Sequence, residues 1–585
     1  MTNLYLDNRN AVLPNNISIK LVKENPYFTK SSSYTFDITL PLEGCPENLI
    51  IFRHINRHDV SKNLQTLKAK LIVDCKCLLD GTAVVKSISE KDVKVQLVSG
   101  NSEFNFFTKC DKIYIDEIEY GYGSIPDHEF DITQAYNFYF TMQHTYFPVH
   151  NESADKVFNN LVCNYIIRNG AEVESFTYPG ATYNSDCVHP NLKWIVSKLM
   201  QKLGYILFTD LNSGIDFDRM YIANSTVTYV YNETLPHWTV NEFLDQLEKF
   251  LGVVFFVDEG KKHVEMISSE KFFEKYQAIY LGEVEDSYSV EFEDEKEDSL
   301  DLANIGYSLD MKGESKYLKL DEDTISNVKV EKFASYSELK SKYDKDDEYN
   351  RARKIYEADG RQYIEMDNNA GKEMVEVNQF RNLYRNTESK ELDVELKLVP
   401  SPMVKCAIDV YLAGSVYDKN YLFSFDIDIP SVPGHTAEDG KGIAPTVVSI
   451  IEGEAYEPYK PDKIYLYYWD GQMQNFTGAN KTHKFPMPYI DSEIIKSKYG
   501  RDLPEWSFRL VGPSGKRNLG NNVYNKVWKI NQVNKEVKKF ITKDIYSPNG
   551  VFIIKNKRYL CHKIQTTITV DGIEEEQEFT GYQLI

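Results

Sequence analysis

His54 and His58 in "HINRH" stand four residues apart, the spacing at which two imidazoles on one helix face can hold a metal. The glutamate of H-E-x-x-H is missing, and the flanking residues fit a loop between strands. "GPSGKRN", Gly512 to Asn518, has a Gly-Lys step but neither the four-residue spacer of a phosphate loop nor the Ser or Thr that holds magnesium. "GYGSIP", from Gly121, lacks the third glycine and the following helix of a dinucleotide fingerprint. "DLNSGID", from Asp210, resembles a calcium loop only loosely, with its glycine out of place and no Glu to close the site. No G-x-S-x-G elbow occurs. With 88 Asp and Glu in the chain, no carboxylate pair stands out as acid and nucleophile. The expectation is no catalytic, cofactor-binding or metal-binding residue, and a protein that is not an enzyme.

The eight cysteines are Cys45, Cys75, Cys77, Cys110, Cys163, Cys187, Cys406 and Cys561. They are scattered, with one C-x-C and no C-x-x-C, whereas structural zinc needs two closely spaced ligand pairs. Buried free thiols are expected, with Cys75 and Cys77 in an alternating strand on the same face as Leu71 and Val73.

The elements that would position any site are mostly strands. The 585 residues suggest several domains, and 41 Tyr and 31 Phe favour sheets over helical bundles. A net charge of −21 without a long Lys/Arg run argues against nonspecific nucleic-acid binding. The N-terminus shows no secretory signal, and no apolar run approaches the roughly 20 residues of a membrane span. A soluble protein made in a cytoplasm is expected, with no integral membrane segment.

Residues 1 to about 130 alternate with period two, as in "SYTFDITLPL", and Asp80-Gly81 is read as a hairpin turn. From about 151 to 270 the pattern becomes α/β. "ADKVFNNLVCNYIIRNG" has helical spacing, with Asn169-Gly170 as its C-cap. A shift of 48 residues lays "HWTVNEFLDQLEKFLGVVFFVD" on "HPNLKWIVSKLMQKLGYILFTD". Leu199 then falls on Leu247, Gly204 on Gly252 and Asp210 on Asp258. These segments predict two helix-strand-strand units, 189–222 and 237–267. Leu199 and Leu247 are expected in buried helix stripes, and Gly204 and Gly252 at the turns into strands buried on both faces. A polar helical segment is expected near 335–360. "PSVPGHTAEDGKGIAP" reads as a loop, and residues 461–585 as a β-rich block.

Three stretches carry a resemblance: "PYFTKSSSYTFDITLPLEGCPENLIIFRHINR" with "AKLIVDCKCLLDGTAVV" and "VKVQLVSGN", then "HWTVNEFLDQLEKFLGVVFFVDE", then "FIIKNKRYLCHKI". In this order the chain resembles tail hub proteins of tailed bacteriophages and prophages of Bacteroides-type bacteria, related to late control protein D. The resemblance implies a mainly β fold with α+β parts. Its divisions would be a first tube-like β-barrel (1–130), an inserted small α/β domain (131–275), a second tube-like β-barrel (276–460) and a β-rich C-terminal domain (461–585). It also implies a homotrimer in the virion that joins the hexameric tail tube to the tail tip. Partners would be the tail tube protein, distal tail or baseplate proteins, the tape measure protein and tip or fibre proteins. Phage DNA would pass without specific binding. No lysozyme or peptidase domain is recognisable. The alternative is a phage or surface glycan- or receptor-binding protein, since "YLYYWDG" could offer aromatic platforms to sugar rings. A cell-wall hydrolase is a third reading.

Overall fold

The computed structural model describes residues 1–108, 112–123, 129–131, 143–152, 156–159, 162–168, 171–177, 187–209, 217–258, 260–272, 277–291, 305–306, 330–335, 338–339, 355–358, 361–368, 371–376, 394–412, 420–434, 460–469, 473–478, 481–486, 488–489 and 535–584. These residues are mainly β. The largest sheet has 14 strands, with the main order Arg9–Ala11, Thr2–Leu6, Thr66–Val73, Lys76–Ile88, Asp92–Ser99, Ser33–Thr35, Ser18–Glu24, Lys557–Thr569, Gly572–Gln583, Lys535–Ile541, Val284–Glu291. Ser18–Glu24 runs antiparallel to Lys557–Thr569, from Ser18 opposite Thr569 to Glu24 opposite Lys563. The sequence reading assigned these segments to separate blocks; here they share one hydrogen-bonded sheet. Among the described residues this sheet is open, with Arg9–Ala11 and Val284–Glu291 at its ends.

Alternation drives the N-terminal strands. Leu67, Ala69, Leu71 and Val73 are buried while Lys68 and Lys70 face solvent, and Val93, Val95 and Leu97 line the same core. Each fully buried aliphatic side chain contributes about 1.5–3 kcal/mol. The hairpin turn, however, is Asp74–Cys75, with φ of +48° and +63°, as a two-residue turn matching strand twist requires. Asp80 and Gly81 lie mid-strand, opposite Lys70 and Ala69. Gly81 is needed for close approach: a Cβ there would sit 2.2 Å from the Val98 carbonyl oxygen. The displaced turn also corrects the thiol reading. Cys75 and Cys77 are exposed, whereas Cys45, Cys187, Cys406 and Cys561 are buried free thiols. Cys110 and the Cys163 side chain lie outside the described residues.

The helix expected before Gly170 is instead a hairpin, Val162–Arg168 against Ala171–Thr177, with Arg168 opposite Ala171. Its β-branched and aromatic run prefers a strand, and Asn-Gly between paired strands is a hairpin signal as much as a helix cap. Of the segment near 335–360, the amide of Glu338 donates to Ser335 Oγ at a helical start. Ile355–Ala358 is a strand and the intervening residues lie outside the described set.

The two shifted segments form matching helices, Leu192–Lys202 and Val240–Leu251. Asn191 and Thr239, also 48 residues apart, cap them by accepting from the amides of Trp194 and Glu242. Leu199 and Leu247 are both fully buried in one core. Gly204 has φ +84° and Gly252 φ +62°. At the first helix end the Gly204 amide donates to Gln201 and the Tyr205 amide to Met200, the paired bonds of a left-handed terminator. The strands then diverge. Ile206–Thr209, His263–Ser268 and Val253–Val257 form one three-stranded sheet in that order. Met220–Ala223 leaves it to pair with Ile464–Tyr468, beside Leu398–Pro400. Val253–Val257 is largely buried, but Ile206 and Phe208 are exposed, so the first strand is covered on one face only. Asp210 lies outside the described residues, whereas the Asp258 amide donates to the His263 carbonyl across the second turn.

The core under the helices gathers Phe104, Leu199, Leu247, Ile429, Leu466 and Trp469. It therefore spans boundaries drawn at 130, 275 and 460. Replacing Leu199 or Leu247 by Ala should cost about 2–5 kcal/mol in urea unfolding, through lost burial and the cavity left behind. Gly81→Ala should destabilise clearly more than Gly282→Ala, where an added Cβ meets nothing within 4 Å. Equal unfolding midpoints for the two glycine variants would contradict the close approach.

Candidate functional site: a buried histidine and tyrosine junction

Two short strands, His144–Thr145 and His189–Pro190, pair antiparallel deep in the main core. His144 Nδ1 lies 2.6 Å from the Tyr231 hydroxyl and His189 Nδ1 2.8 Å from that of Tyr467. The Tyr467 hydroxyl also meets Thr145 Oγ1 at 2.8 Å. Tyr221 stacks on Tyr467 at 5.9 Å, and Phe147 sets its ring edge against both Tyr467 and Trp469. Four stretches far apart in sequence, at 144–145, 189, 231 and 467, are thus tied by polar contacts inside an aromatic shell. Burial pushes His144 down to about 4 and His189 down to about 3, the latter opposed by a backbone contact from Asn224. Both imidazoles are therefore neutral at pH 7, and each offers one donor and one acceptor. In this arrangement each imidazole is a hydrogen-bonding strut between separate segments.

A second network lies where Val149–Asn151 runs parallel to the end of Asn420–Val432, with His150 opposite Ser431. Ser431 Oγ is 2.9 Å from His150 Nδ1 and donates to Glu152 Oε1 at 3.1 Å. Burial raises the Glu152 carboxyl to about 7, against the lowering effect of the Ser431 bond. Ser, His and a carboxylate are the parts of an acyl-transfer triad, but their order is wrong for it. In a triad the histidine stands between serine and acid and takes the serine proton. Here the serine stands in the middle, its proton directs to the carboxylate, and its side chain is wholly buried. The group fastens two strands together.

Asp116 makes a third tie. Its carboxylate, 6% exposed, lies 3.0 Å from His237 Nδ1 and 3.3 Å from Lys460 Nζ. His237 stacks on Tyr114 with ring centroids 3.9 Å apart.

The residues singled out by spacing do not converge. His54 sits at φ +54° in the loop after the helix Pro46–Ile51, and the exposed His58 reaches Glu90 at 3.4 Å. Gly123 donates its amide to the Tyr229 carbonyl in an extended bridge. Residues 210–216 and 512–518 lie outside the described set. Among the described residues no group of three or more His, Cys, Asp or Glu could hold a metal, and no helix is long and apolar enough to cross a membrane. Tyr465, Tyr467, Tyr468 and Trp469 are core residues, at most 7% exposed, so the aromatic platform proposed for sugars is closed to them. The sequence reading missed His144, His150, Glu152 and Ser431. Their only local signal is polar residues set among apolar ones, as in "TYFPVH".

No protein-family model matches the chain, and no curated protein matches it. Among solved structures it is similar to the crystal structure of a 43 kDa tail protein of prophage MuSo2 from Shewanella oneidensis. The identity is 9% and the TM-score 0.31, covering 100% of this chain and 97% of that one. Similarity at this level carries no functional argument.

The two networks respond oppositely to pH. Unfolded histidines bind protons below about 6.5 that the buried pair refuses until about 3 to 4, so this pair makes stability rise with pH across that window. Folded Glu152 keeps its proton from about 4.5 to 7 while the unfolded chain releases it, so its share of stability falls as pH rises there. Glu152→Gln leaves an acceptor for Ser431 and removes the buried charge. It should raise the melting temperature at pH 8 and leave it nearly unchanged at pH 4. Identical shifts at the two pH values would show that the carboxyl is not held protonated.

Proposed function

We propose that the chain is a structural protein of the tail of a tailed bacteriophage or prophage, acting as a trimeric hub between tail tube and tail tip. The observation that carries this reading is the join between Ser18–Glu24 and Lys557–Thr569. It sets the hub-like opening and closing segments in one sheet, with the α/β units inserted between them. The mainly β fold and the structural use of the buried histidines support the same reading. Two tube-like barrels per subunit would let three subunits match a hexameric tube, a symmetric closure typical of such assemblies. The net charge of −21 would keep passing DNA from adhering. The work proposed is mechanical and involves no catalytic step.

Light scattering and negative-stain microscopy of the purified chain, alone and with tail tube protein, test the assembly. Threefold particles with a central channel and three times the chain mass are expected. Monomers under both conditions would count against a hub. Lysis of host cell wall, lost on changing a single carboxylate, would replace the mechanical reading with an enzymatic one.

A further inference from the structure

Three hairpins among the described residues turn through the same two-residue loop. Asp7-Asn8 has φ of +46° and +64°, Lys555-Asn556 +47° and +64°, and Asp74-Cys75 +48° and +63°. The closing pairs are Leu6 with Arg9, Ile554 with Lys557 and Val73 with Lys76. Both loop positions need a left-handed backbone, which Gly and Asn adopt at little cost and other side chains resist. Asparagine holds the second position in two of these turns, and cysteine holds it in the third. Folding alone does not ask for a thiol there. A residue kept in a backbone region that disfavours it points to a use outside folding.

The surroundings of Cys75 indicate that use. Cys77, two residues on, is also exposed, and both thiols are free. Cys77 pairs with Ile72, and just beyond it the register shifts, so that Leu79 faces Leu71. This bulge turns both Leu78 and Leu79 into the core and leaves Cys77 outside. Cys77 Sγ lies 3.7 Å from the Leu79 carbonyl oxygen, a weak contact.

The spacing of the two thiols favours an ion over a bond between them. Lys76 is held extended by its pairing with Val73, so the flanking Cα atoms stand near the roughly 7 Å that two extended residues span. A disulfide favours about 5.5–6 Å. An ion with sulfur bonds of about 2.3 Å on either side bridges the wider gap. Two thiolates around one monovalent cation leave a single negative charge, and a cation stands near to offset it. The Lys70 ammonium, 2.8 Å from Asp80, is raised in pKa first by that carboxylate and also by Cys77, so it lies within electrostatic reach of the thiol.

Ligand number narrows the metal. Zinc and iron–sulfur centres take four ligands, and among the described residues no group of three or more His, Cys, Asp or Glu could hold an ion. Two exposed thiolates suit a soft ion that accepts two ligands, as cuprous copper does. We propose that Cys75 and Cys77 form a two-thiolate site for a soft monovalent cation of the cuprous type. Binding releases both thiol protons to solvent and changes no oxidation state. This proposal is independent of the tail reading.

The test titrates the full chain, reduced and kept under nitrogen, with cuprous ion supplied as its acetonitrile complex against a chromophoric cuprous chelator. Native mass spectrometry counts the bound ions. The parent is expected to hold one ion more per chain than Cys75→Ser/Cys77→Ser, a difference that removes any contribution from the other thiols. Cys75→Asn should lose that ion yet melt at or above the parent, because it restores the residue of the other two turns. Cys77→Ser should lose it with an unchanged melting temperature, and Lys70→Glu should weaken binding by at least about tenfold. Zinc ion should give no such difference. Equal copper in the parent and the double variant, retention of the ion by either single cysteine variant, or zinc held as tightly as copper would each overturn the proposal.

Discussion

The antiparallel pairing of Ser18–Glu24 with Lys557–Thr569 is the constraint on which the rest of the architecture hangs. It is secured beyond its ladder. The wholly buried Asn25 side chain donates to the carbonyls of Pro548 and Cys561 and accepts from the Tyr27 amide. A buried amide with its bonds made is stabilising, whereas one stripped of partners costs about 1–3 kcal/mol, so the contact also selects one register. Ile568 and Ile573 then complete a core otherwise built from residues 4 to 97. The last strands supply the other wall of the first core.

Elsewhere polar ties do comparable work inside apolar surroundings. Tyr467 holds Thr145 and His189 together, Ser431 bridges His150 and Glu152, and Asp116 gathers His237 and Lys460. Each links segments separated by dozens to hundreds of residues. Such groups need every partner in place, so they favour one packing over near alternatives. In a component whose proposed task is to hold shape, that specificity is the useful property.

The local grammar of the sequence was readable and its long-range pairing was not. Helix stripes and terminating glycines were legible at Leu199, Leu247, Gly204 and Gly252 because each depends on neighbours within one or two turns. The Asp80-Gly81 reading failed because glycine serves close approach as well as turns, and only the Val98 carbonyl opposite decides which. The helix read up to Asn169-Gly170 failed because residues 162–168 pair as a strand with 171–177, and Asn-Gly, itself outside the described residues, is as common between strands as after a helix. "YLYYW" looked like a surface platform until Met220–Ala223 and Leu398–Pro400 closed over both its edges. The polar junctions were invisible because their members come from separate strands, and no spacing along the chain records that.

Long-range closure also sets a folding problem. Ser18–Glu24 pairs on one side with Ser33–Thr35, which is close in sequence, but its other side waits for residues more than 500 positions later. Until those residues are made, that strand is an open edge bearing Ile19, Leu21 and Val22, all apolar and all buried in the finished protein. Pairing across so long a loop is slow, and exposed apolar edges aggregate. The neighbouring charges reduce the hazard: Lys20, Lys23 and Glu24 lie in the same seven-residue strand, and repel or solvate a stacked copy. The native partner meets them with Thr567, Ile564 and Lys563. The strand is therefore tolerable alone and satisfied only by its own distant partner, so the sheet closes only once both segments have been made.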